Sequence, residues 1–185
     1  MEMIKLKLRE ANINDEKELL EIYEEYINSK PIPGIRTFEG VRDLESLGKM
    51  NFKQWLDDLE KNKYEENLPK DYSTHTFYLA ENDDGKIVGA ISLRWKEVPE
   101  LITYGGFIGY SIRPTERRKG YAYEMLRQGI LKFKEKDNKR EKILISCKDF
   151  NIPSKKVIEK NKGVYENSYY KEDEGYTYLR YWIKL

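Results

Sequence analysis

The stretch from Phe107 to Cys147 constrains the fold more than any other part of the chain, because it combines two strand-like runs with a turn and a helix. The run Phe107–Ile112 is typical of a strand, and Ile143–Cys147, short and rich in branched apolar residues, is typical of a buried strand. The segment Tyr121–Glu135 predicts an amphipathic helix with this apolar face: Ala122, Met125, Leu126, Gly129, Ile130 and Phe133. If both strands join one sheet, the connection between them is a right-handed crossover.

A basic glycine turn, Arg117-Arg118-Lys119-Gly120-Tyr121-Ala122, joins the first strand to this helix. The first N–H groups of a helix lack internal partners, and the macrodipole adds about half a positive charge there, so a helix start favours anions. Gly120 has no Cβ, so the backbone can approach a ligand closely. The turn therefore predicts a site for a nucleotide phosphate or pyrophosphate. The alternative is a solvated basic turn at an ordinary strand–helix junction.

These residues resemble the GNAT superfamily of acyl-CoA-dependent N-acetyltransferases, whose signature is Arg/Gln-x-x-Gly-x-Gly/Ala at the start of the central helix. Arg117-x-x-Gly120-x-Ala122 matches that signature. A second match, Asn151-Ile152-Pro153-Ser154, lies where the family has an Asn, just beyond the fifth strand, that contacts the pantetheine arm. The resemblance covers residues 1–185, and its specific motifs lie within residues 106–166.

The resemblance implies that acetyl-CoA is the co-substrate. Backbone groups of the fourth strand would bind the pantetheine amides as an added strand would, and those of the turn would hold the pyrophosphate. A backbone N–H in the fourth strand would also stabilise the oxyanion formed when an amine attacks. The implied cofactor-binding residues are Tyr110, Ser111, Ile112, Arg117, Arg118, Lys119, Gly120, Tyr121, Ala122, Tyr123, Asn151 and Ser154.

The proton carriers familiar in the family are missing from their usual positions. Many members place a Tyr seven residues after the Asn, as the acid for the leaving thiolate, and this chain has Ile158 there. Where others have a Glu near the start of the fourth strand, this chain has Gly105, Gly106 and Phe107. Where others have a Glu five residues before the Asn, it has Ser146. Whether the chain is catalytically active therefore stays open.

Tyr165, at the start of the predicted sixth strand, is the replacement we predict for the acid, and the alternative is an aromatic residue packing on the sheet. Glu97 and Glu100, which follow the third strand, are candidate bases. His75, the only histidine, is interpreted as a loop or strand-edge residue, and Cys147 as a structural thiol. A single cysteine excludes an intramolecular disulfide and a multi-cysteine metal site, and we predict no metal.

Length and composition bound the class of protein. The chain has 185 residues, which predicts one domain over residues 1–185. Lys plus Arg number 34 and Asp plus Glu 33, so no net field draws the molecule to nucleic acid or membrane. Fifteen Tyr and three Trp supply apolar area for a core. The start Met1–Lys5 lacks the apolar stretch of a signal peptide, and no run is long enough to span a membrane, which predicts a cytoplasmic protein.

The remaining patterns predict a mixed α/β fold of α+β character. Alternation over Ile4–Leu8 predicts a half-exposed first strand, and the pairs Asp15–Glu18 and Asn51–Gln54 predict capping boxes that begin two helices. Gly105–Gly106 marks a place for a bulge or a close backbone approach. The other predicted elements are a hairpin of Thr76–Ala80 and Lys86–Trp95, a helix at Pro153–Asn161, and strands at Val164–Lys171 and Tyr176–Lys184. The resemblance implies a mostly antiparallel central sheet of six to seven strands, flanked by about four helices.

We therefore predict an N-acetyltransferase that moves the acetyl group of acetyl-CoA to a primary amine by direct attack in a ternary complex. The alternative is a non-catalytic acyl-CoA binding or sensing module, and a nucleic-acid binder is a third class that the balanced charge disfavours. The resemblance implies that Ser29–Met50 and the turn near Glu172 wall the acceptor, a small-molecule amine or a peptide N-terminus. Strand Tyr176–Lys184, interpreted as a sheet edge, would let two copies pair as a homodimer.

Overall fold

The computed structural model describes residues 4–185, which form strands and helices in mixed order. Met1–Met3, at the head of the N-terminal segment considered above, lie outside the described residues. The strands are β1 (Leu6–Arg9), β2 (His75–Asn82), β3 (Ile87–Arg94), β4 (Ile108–Ile112), β5 (Lys142–Lys148), β6 (Val164–Lys171) and β7 (Tyr176–Lys184). The α-helices are α1 (Glu16–Asn28), α2 (Arg42–Ser46), α3 (Phe52–Lys61), α4 (Tyr121–Lys136) and α5 (Ile152–Lys160). Of these, only the short α2 was not expected from the sequence.

The strands form two antiparallel sheets, one ordered β1-β2-β3-β4 and the other β5-β7-β6. The mixed α/β class and the seven strands are confirmed, but the central sheet is divided between β4 and β5. The two sheets meet where the N–H of Phe107 donates to the carbonyl of Leu144 at 2.8 Å. Beyond that bond, β4 and β5 are each the terminal strand of a sheet, so an opening lies between them.

Gly106 allows the two sheets to meet. Its φ of 68° lies in the left-handed region, which L side chains rarely adopt. A Cβ at this position would be 3.0 Å from the N of Ser146 and 3.2 Å from the carbonyl oxygen of Leu144. The close backbone approach predicted at Gly105–Gly106 is therefore confirmed, and its partner is β5.

Two apolar clusters pack on the sheets and hold the helices in place. One cluster joins α4, through Met125 and Phe133, to the buried run Ile143–Ile145 of β5. The other joins α1 and α3, through Tyr26 and Trp55, to the opposite side of the first sheet. Each fully buried large side chain contributes roughly 1.5–3 kcal/mol by leaving water. The clusters therefore fix α1 and α4 relative to β4.

One of the two predicted capping boxes is wrong and the other is confirmed. Glu18 does not cap α1, because its carboxylate accepts from a backbone N–H of β3 instead. The box that precedes α1 is Asn12 with Asp15, and Asp15 also binds the guanidinium of Arg9 at 2.8 Å. The predicted box Asn51–Gln54 begins α3. The sequence did not distinguish the two possible capping residues before α1, Asn12 and Asp15, because either side chain can accept at a helix start.

The prediction that Tyr176–Lys184 is a sheet edge is wrong. This strand is β7, and it lies between β5 and β6 with a ladder on each side. The edge strand is β6, whose residues 164–170 are exposed. Both strands carry alternating aromatic and polar residues, so the sequence alone does not distinguish the inner strand from the outer one.

His75, which begins β2, has a specific partner that the sequence did not indicate. Its Nε2 lies 2.8 Å from Oδ1 of Asp43 in α2. Its Nδ1 faces the carbonyl of Ser73 at 3.5 Å. Since both ring nitrogens face acceptors, the doubly protonated imidazolium suits this position. The pair connects β2 to the segment that carries α2.

We expect His75 to stabilise the protein more at about pH 6 than at about pH 8, measured against a His75→Gln variant. Burial lowers the pKa of His75, but the hydrogen bond and charge of Asp43 outweigh burial, so the pKa lies above its ordinary 6.5. A group with a raised folded pKa stabilises fully below the unfolded pKa, and this contribution is lost as the pH rises through the folded pKa. Urea unfolding of both chains across this range measures the difference, and Asp43→Asn should abolish its pH dependence. A difference that grows with pH would contradict the assignment.

Candidate active site

The turn before α4 presents consecutive backbone N–H groups without acceptors. Arg118 has a φ of 64° and Gly120 a φ of 88°, so the chain curls twice through the left-handed region. Within residues 4–185, the N–H groups of residues 118–122 donate no hydrogen bond, whereas that of Tyr123 donates to the carbonyl of Gly120 at 3.2 Å. Successive N–H groups around left-handed residues form a concave anion site, which the N-terminus of α4 reinforces.

Buried ion pairs fix the segment that leads into the turn. The guanidinium of Arg113 is buried and donates to Glu25 of α1 at 2.6 and 2.8 Å. The carboxylate of Glu116 is also buried and binds Lys86 at 2.5 Å and Lys119 at 2.8 Å. The predicted site residue Lys119 is exposed, and its charge is paired with the buried carboxylate of Glu116, which also joins the turn to Lys86, just before β3.

The outward positive charge of the turn comes from Arg117 and Arg118. Arg118 is exposed and has no ion-pair partner among residues 4–185. Arg117 is half-buried, with its Nε 3.4 Å from the carbonyl of Ile112. A Cβ at Gly120 would be 2.5 Å from Cδ1 of Ile4, in a backbone conformation that already favours glycine. Substituting Gly120 would thus perturb packing as well as any ligand, and Arg118 is the cleaner position to change.

Strand β4 exposes half of its backbone groups to the opening. In the ladder with β3, the hydrogen-bonded residues of β4 are Gly109 and Ser111. The hydrogen bonds at Phe107 and Arg113, on either side of them, fix this alternation. Alternation along an antiparallel ladder then turns the N–H and C=O of residues 108, 110 and 112 to the opposite edge. The backbone groups of Tyr110 and Ile112 thus face the opening, whereas the backbone of Ser111 is paired with β3. The hydroxyl of Ser111 accepts from Tyr26 of α1 at 2.8 Å.

Residues 29–41, which we call the acceptor segment, cross the opening from β4 to the second sheet. At one end, a Cβ on Gly40 would be 2.5 Å from the carbonyl oxygen and 2.8 Å from the N of Tyr110. At the other end, the Nζ of buried Lys148 donates to the carbonyl of Gly34 at 2.9 Å. Arg36 also pairs with Glu174 at 3.5 Å, so the two predicted acceptor walls touch.

A cleft of about 50 Å³ remains between the acceptor segment and the first sheet. Its lining includes Arg36 and Glu39 from the segment, Ser111 from β4 and Arg117 from the turn. The cleft therefore connects the predicted pyrophosphate site to the predicted acceptor side. It is far smaller than the roughly 300 Å³ or more of an ordinary ligand pocket.

Helix α5 lines the opening next to β5. The side chain of Asn151 caps the helix by accepting from the N–H of Ser154 at 3.3 Å, and its amide donates no hydrogen bond within residues 4–185. The hydroxyls of Ser154 and Tyr110 lie 2.9 Å apart. Burial raises the pKa of the neighbouring Cys147 to about 12, so its thiol stays protonated. Ile158 is fully buried in the core.

The predicted proton carriers are spread over the molecule. Tyr165 lies on β6, two strands away from β5, and packs edge-on against Tyr181 with 52% of its surface exposed. Two strand spacings amount to about 10 Å, so the fold does not bring Tyr165 to the opening. Glu97 points away, 4.0 Å from Arg140. Glu100 is close to the root of β4, since a Cβ on Gly105 would be 3.5 Å from its Cγ.

Lys148 and Arg94 contact the segments that border the opening, and sequence reasoning did not single them out. Lys148 ends a buried strand, and its charge reaches Gly34 and Glu39 of the acceptor segment. A lysine that interrupts an apolar strand is a usable signal for a buried partner, although it does not identify that partner. Arg94 ends β3, and its Nη1 donates to the carbonyl of Gly106 at 3.0 Å.

Comparison with known proteins settles the family. A family model described as the acetyltransferase (GNAT) domain matches residues 5–164. The chain belongs to the GNAT acetyltransferase family. This family membership confirms the resemblance drawn from the turn and the Asn151 motif. No curated protein sequence matches the chain.

Solved GNAT structures share the fold at low sequence identity. A chimera of the spermidine N-acetyltransferase SpeG from Vibrio cholerae is 15% identical, with a TM-score of 0.60, over 97% of this chain and 94% of that one. A GNAT-family acetyltransferase from Bacillus anthracis is 22% identical, with a TM-score of 0.60, over 98% of this chain and 97% of that one. At such identities the likeness supports the fold and does not transfer a substrate.

Residues 4–185 contain neither a helix that could span a membrane nor a cluster of possible metal ligands. None of the helices in this range combines the length and the apolar character needed to cross a bilayer. No group of three or more His, Cys, Asp or Glu side chains in this range is arranged to hold a metal ion.

Proposed function

We propose that this GNAT-family chain transfers the acetyl group of acetyl-CoA to a primary amine by direct attack in a ternary complex. The observation that carries the proposal is the row of unpaired N–H groups at residues 118–122, which leads directly to the open edge of β4. A pyrophosphate fits the first feature, and a pantetheine arm fits the second. The SpeG chimera, whose name states spermidine N-acetylation, supports an amine as the acceptor.

The proposed binding path follows the backbone. The N–H groups of residues 118–122 hold the pyrophosphate, with the charge of Arg117 and Arg118 beside them. Tyr110 and Ile112 bind the pantetheine amides through the edge that faces away from β3. The free amide of Asn151 donates from the far side of the opening. This path needs no side chain to change its partner in the core.

Direct attack is favoured because residues 4–185 place no activated nucleophile at the opening. Cys147 keeps its proton at neutral pH, since burial raises its pKa to about 12, so an acetyl-cysteine intermediate is disfavoured. In the direct reaction the amine nitrogen bonds to the acetyl carbon, and the C–S bond breaks. The N–H of Tyr110 stabilises the oxygen that gains negative charge. The amine gives up a proton to Glu100 or to water, and the departing thiolate takes one up.

The competing function is acyl-CoA binding without catalysis. It is favoured by Ile158, which places a buried apolar side chain where many relatives carry the acidic tyrosine. Such a sensor uses the same turn and the same strand edge, and it differs from the enzyme only in lacking the transfer step after binding. Binding assays alone therefore do not separate the two functions, and turnover does.

A thiol-release assay tests the proposal. We expect acetyl-CoA with at least one amine, from a panel of amino acids, polyamines, aminoglycosides and peptide N-termini, to release CoA at a rate that rises with pH. The rise reports the proton that the amine must lose before attack. A sensor instead gains thermal stability with acetyl-CoA and releases no CoA with any amine. That second result would reject the enzyme and keep the binding site.

The charge at Arg118 tests the cofactor site. Arg118→Glu should weaken acetyl-CoA binding by roughly tenfold or more, because it sets a carboxylate against the proposed pyrophosphate position. Lys139→Glu is the matched control, since Lys139 is an exposed cation beyond the opposite end of α4. Calorimetry at one fixed salt concentration measures both. Equal weakening of acetyl-CoA binding in the two variants would show that net charge alone causes the effect, and it would reject the site.

A pair of hydroxyl deletions tests the source of the proton for the thiolate. Tyr165 is the acid proposed from the sequence, and Tyr110 is the tyrosine whose hydroxyl faces α5 across the opening. Burial raises the pKa of Tyr110, which keeps it a proton donor. We expect Tyr110→Phe to lower kcat about a hundredfold and Tyr165→Phe to change it less than about threefold. The reverse result would assign the acid to Tyr165, and two unchanged rates would leave water as the donor.

A further inference from the structure

The guanidinium of Arg94 lies beneath the start of β4. Its backbone N–H donates to the carbonyl of Phe107 at 2.9 Å, which sets the end of β3 against the start of β4. Its Nη1 donates to the carbonyl of Gly106 at 3.0 Å. Within residues 4–185, its Nε and Nη2 donate no hydrogen bond. The side chain thus donates to the backbone through Nη1 alone and leaves Nε and Nη2 without an acceptor in this range.

Arg94 also has no carboxylate partner within 4 Å among residues 4–185, unlike the enclosed arginines Arg9 and Arg113. Arg113 and Arg9 both form short ion pairs, and the charges of their partners help to raise their pKa values. Burial instead lowers the pKa of Arg94, and the charge of Asp43 opposes this only in part. Asp43 is already hydrogen-bonded to His75. The guanidinium of Arg94 is half-buried, and its two unbonded nitrogens can take up an anion that supplies the missing counter-ion.

The free side of the guanidinium points to where the acceptor segment meets β4. A Cβ on Gly109 would lie 2.9 Å from Nη2 of Arg94 and 2.6 Å from the carbonyl oxygen of Gly40. Gly40 in turn lies against the N and O of Tyr110. Three features therefore converge at one point: a free guanidinium, the acceptor segment, and the N–H proposed to face the reacting carbonyl. Glycine at positions 40 and 109 keeps side chains out of this space.

We propose that Arg94 binds a carboxylate carried by the acceptor, so that the substrate is an amino acid or a similar amine with an acidic group a few bonds from its nitrogen. This deepens the proposed function and rests on it. An arginine fork binds a carboxylate through two parallel hydrogen bonds, which fixes orientation as well as position. Held in this way, the acceptor amine lies beside Tyr110 and Glu100. The acetyl group and the carboxylate are thus recognised on the same side of the opening.

Matched pairs of amines, identical except for the carboxylate, test this assignment. We expect L-ornithine, L-lysine and L-phenylalanine to be acetylated with a higher kcat/KM than putrescine, cadaverine and 2-phenylethylamine, respectively. The preference should fall about tenfold or more in Arg94→Gln and less in Arg94→Lys, while affinity for acetyl-CoA stays within about twofold. Lys53→Gln is the matched control, because it removes an exposed charge on α3, outside the predicted acceptor walls. It should keep the preference.

Several outcomes would overturn the assignment. Equal rates within each pair, or an unchanged preference in Arg94→Gln, would show that the guanidinium does not contact the acceptor. A lower melting temperature, with an equal loss of kcat/KM for both members of a pair, would show that Arg94 only supports the structure at the start of β4. If no amine is acetylated, calorimetry of the same pairs with the CoA-loaded protein is the deciding measurement. Binding of the acids alone, lost in Arg94→Gln, would support Arg94 even though the enzyme proposal has failed, and binding of neither member would reject both.

Discussion

The hydrogen bond from the N–H of Phe107 to the carbonyl of Leu144 holds the two sheets together at the root of the opening. It exists because Gly106 adopts a φ of 68° and leaves no Cβ against β5. Had the ladder between β4 and β5 continued, the groups of Tyr110 and Ile112 would be bonded to protein. Because it stops, the ladder to β3 through Gly109 and Ser111 holds the strand, and the N–H and C=O of Tyr110 stay free on the other side within residues 4–185. A rigid strand with an unpaired edge is what a ligand with amide groups requires.

The acceptor segment covers this edge with a small number of contacts. Lys148 donates to Gly34, Arg36 pairs with Glu174, and Gly40 rests on Tyr110. Lys148 is buried, so its bond to Gly34 is sheltered from water, whereas Arg36 is exposed and its ion pair contributes less than about 1 kcal/mol. The bond of Lys148 therefore holds the segment more firmly than the ion pair of Arg36 does, and Gly40 covers the backbone of Tyr110.

The parts of the site that depend on local chemistry could be predicted from the sequence. The basic turn at residues 117–122, the cap at Asn151 and the glycines before β4 each act through their own backbone, which the sequence encodes directly. Contacts between distant segments could not be predicted in this way. Lys148 and Gly34 are 114 positions apart, and Asp43 and His75 are 32 apart. Tyr165 illustrates the same limit, because sequence distance from Gly163 did not indicate that β6 would lie outside β7.

The charged residues near the site fall into two groups, those held in ion pairs and those without one. Around the turn, Arg113, Glu116 and Lys119 are held in ion pairs, and their role is to hold the backbone of residues 117–122 in its left-handed curl. Four arginines have no ion pair within residues 4–185: Arg42, Arg94, Arg117 and Arg118. Of these, Arg118 lies at the proposed pyrophosphate and Arg94 beneath the acceptor segment, at the two ends of the proposed path. The guanidinium of Arg94 is half-buried and uses only Nη1 for hydrogen bonds within this range. A carboxylate is the anion that the remaining donors of such a fork bind best, and this is the physical reason to look for one on the acceptor.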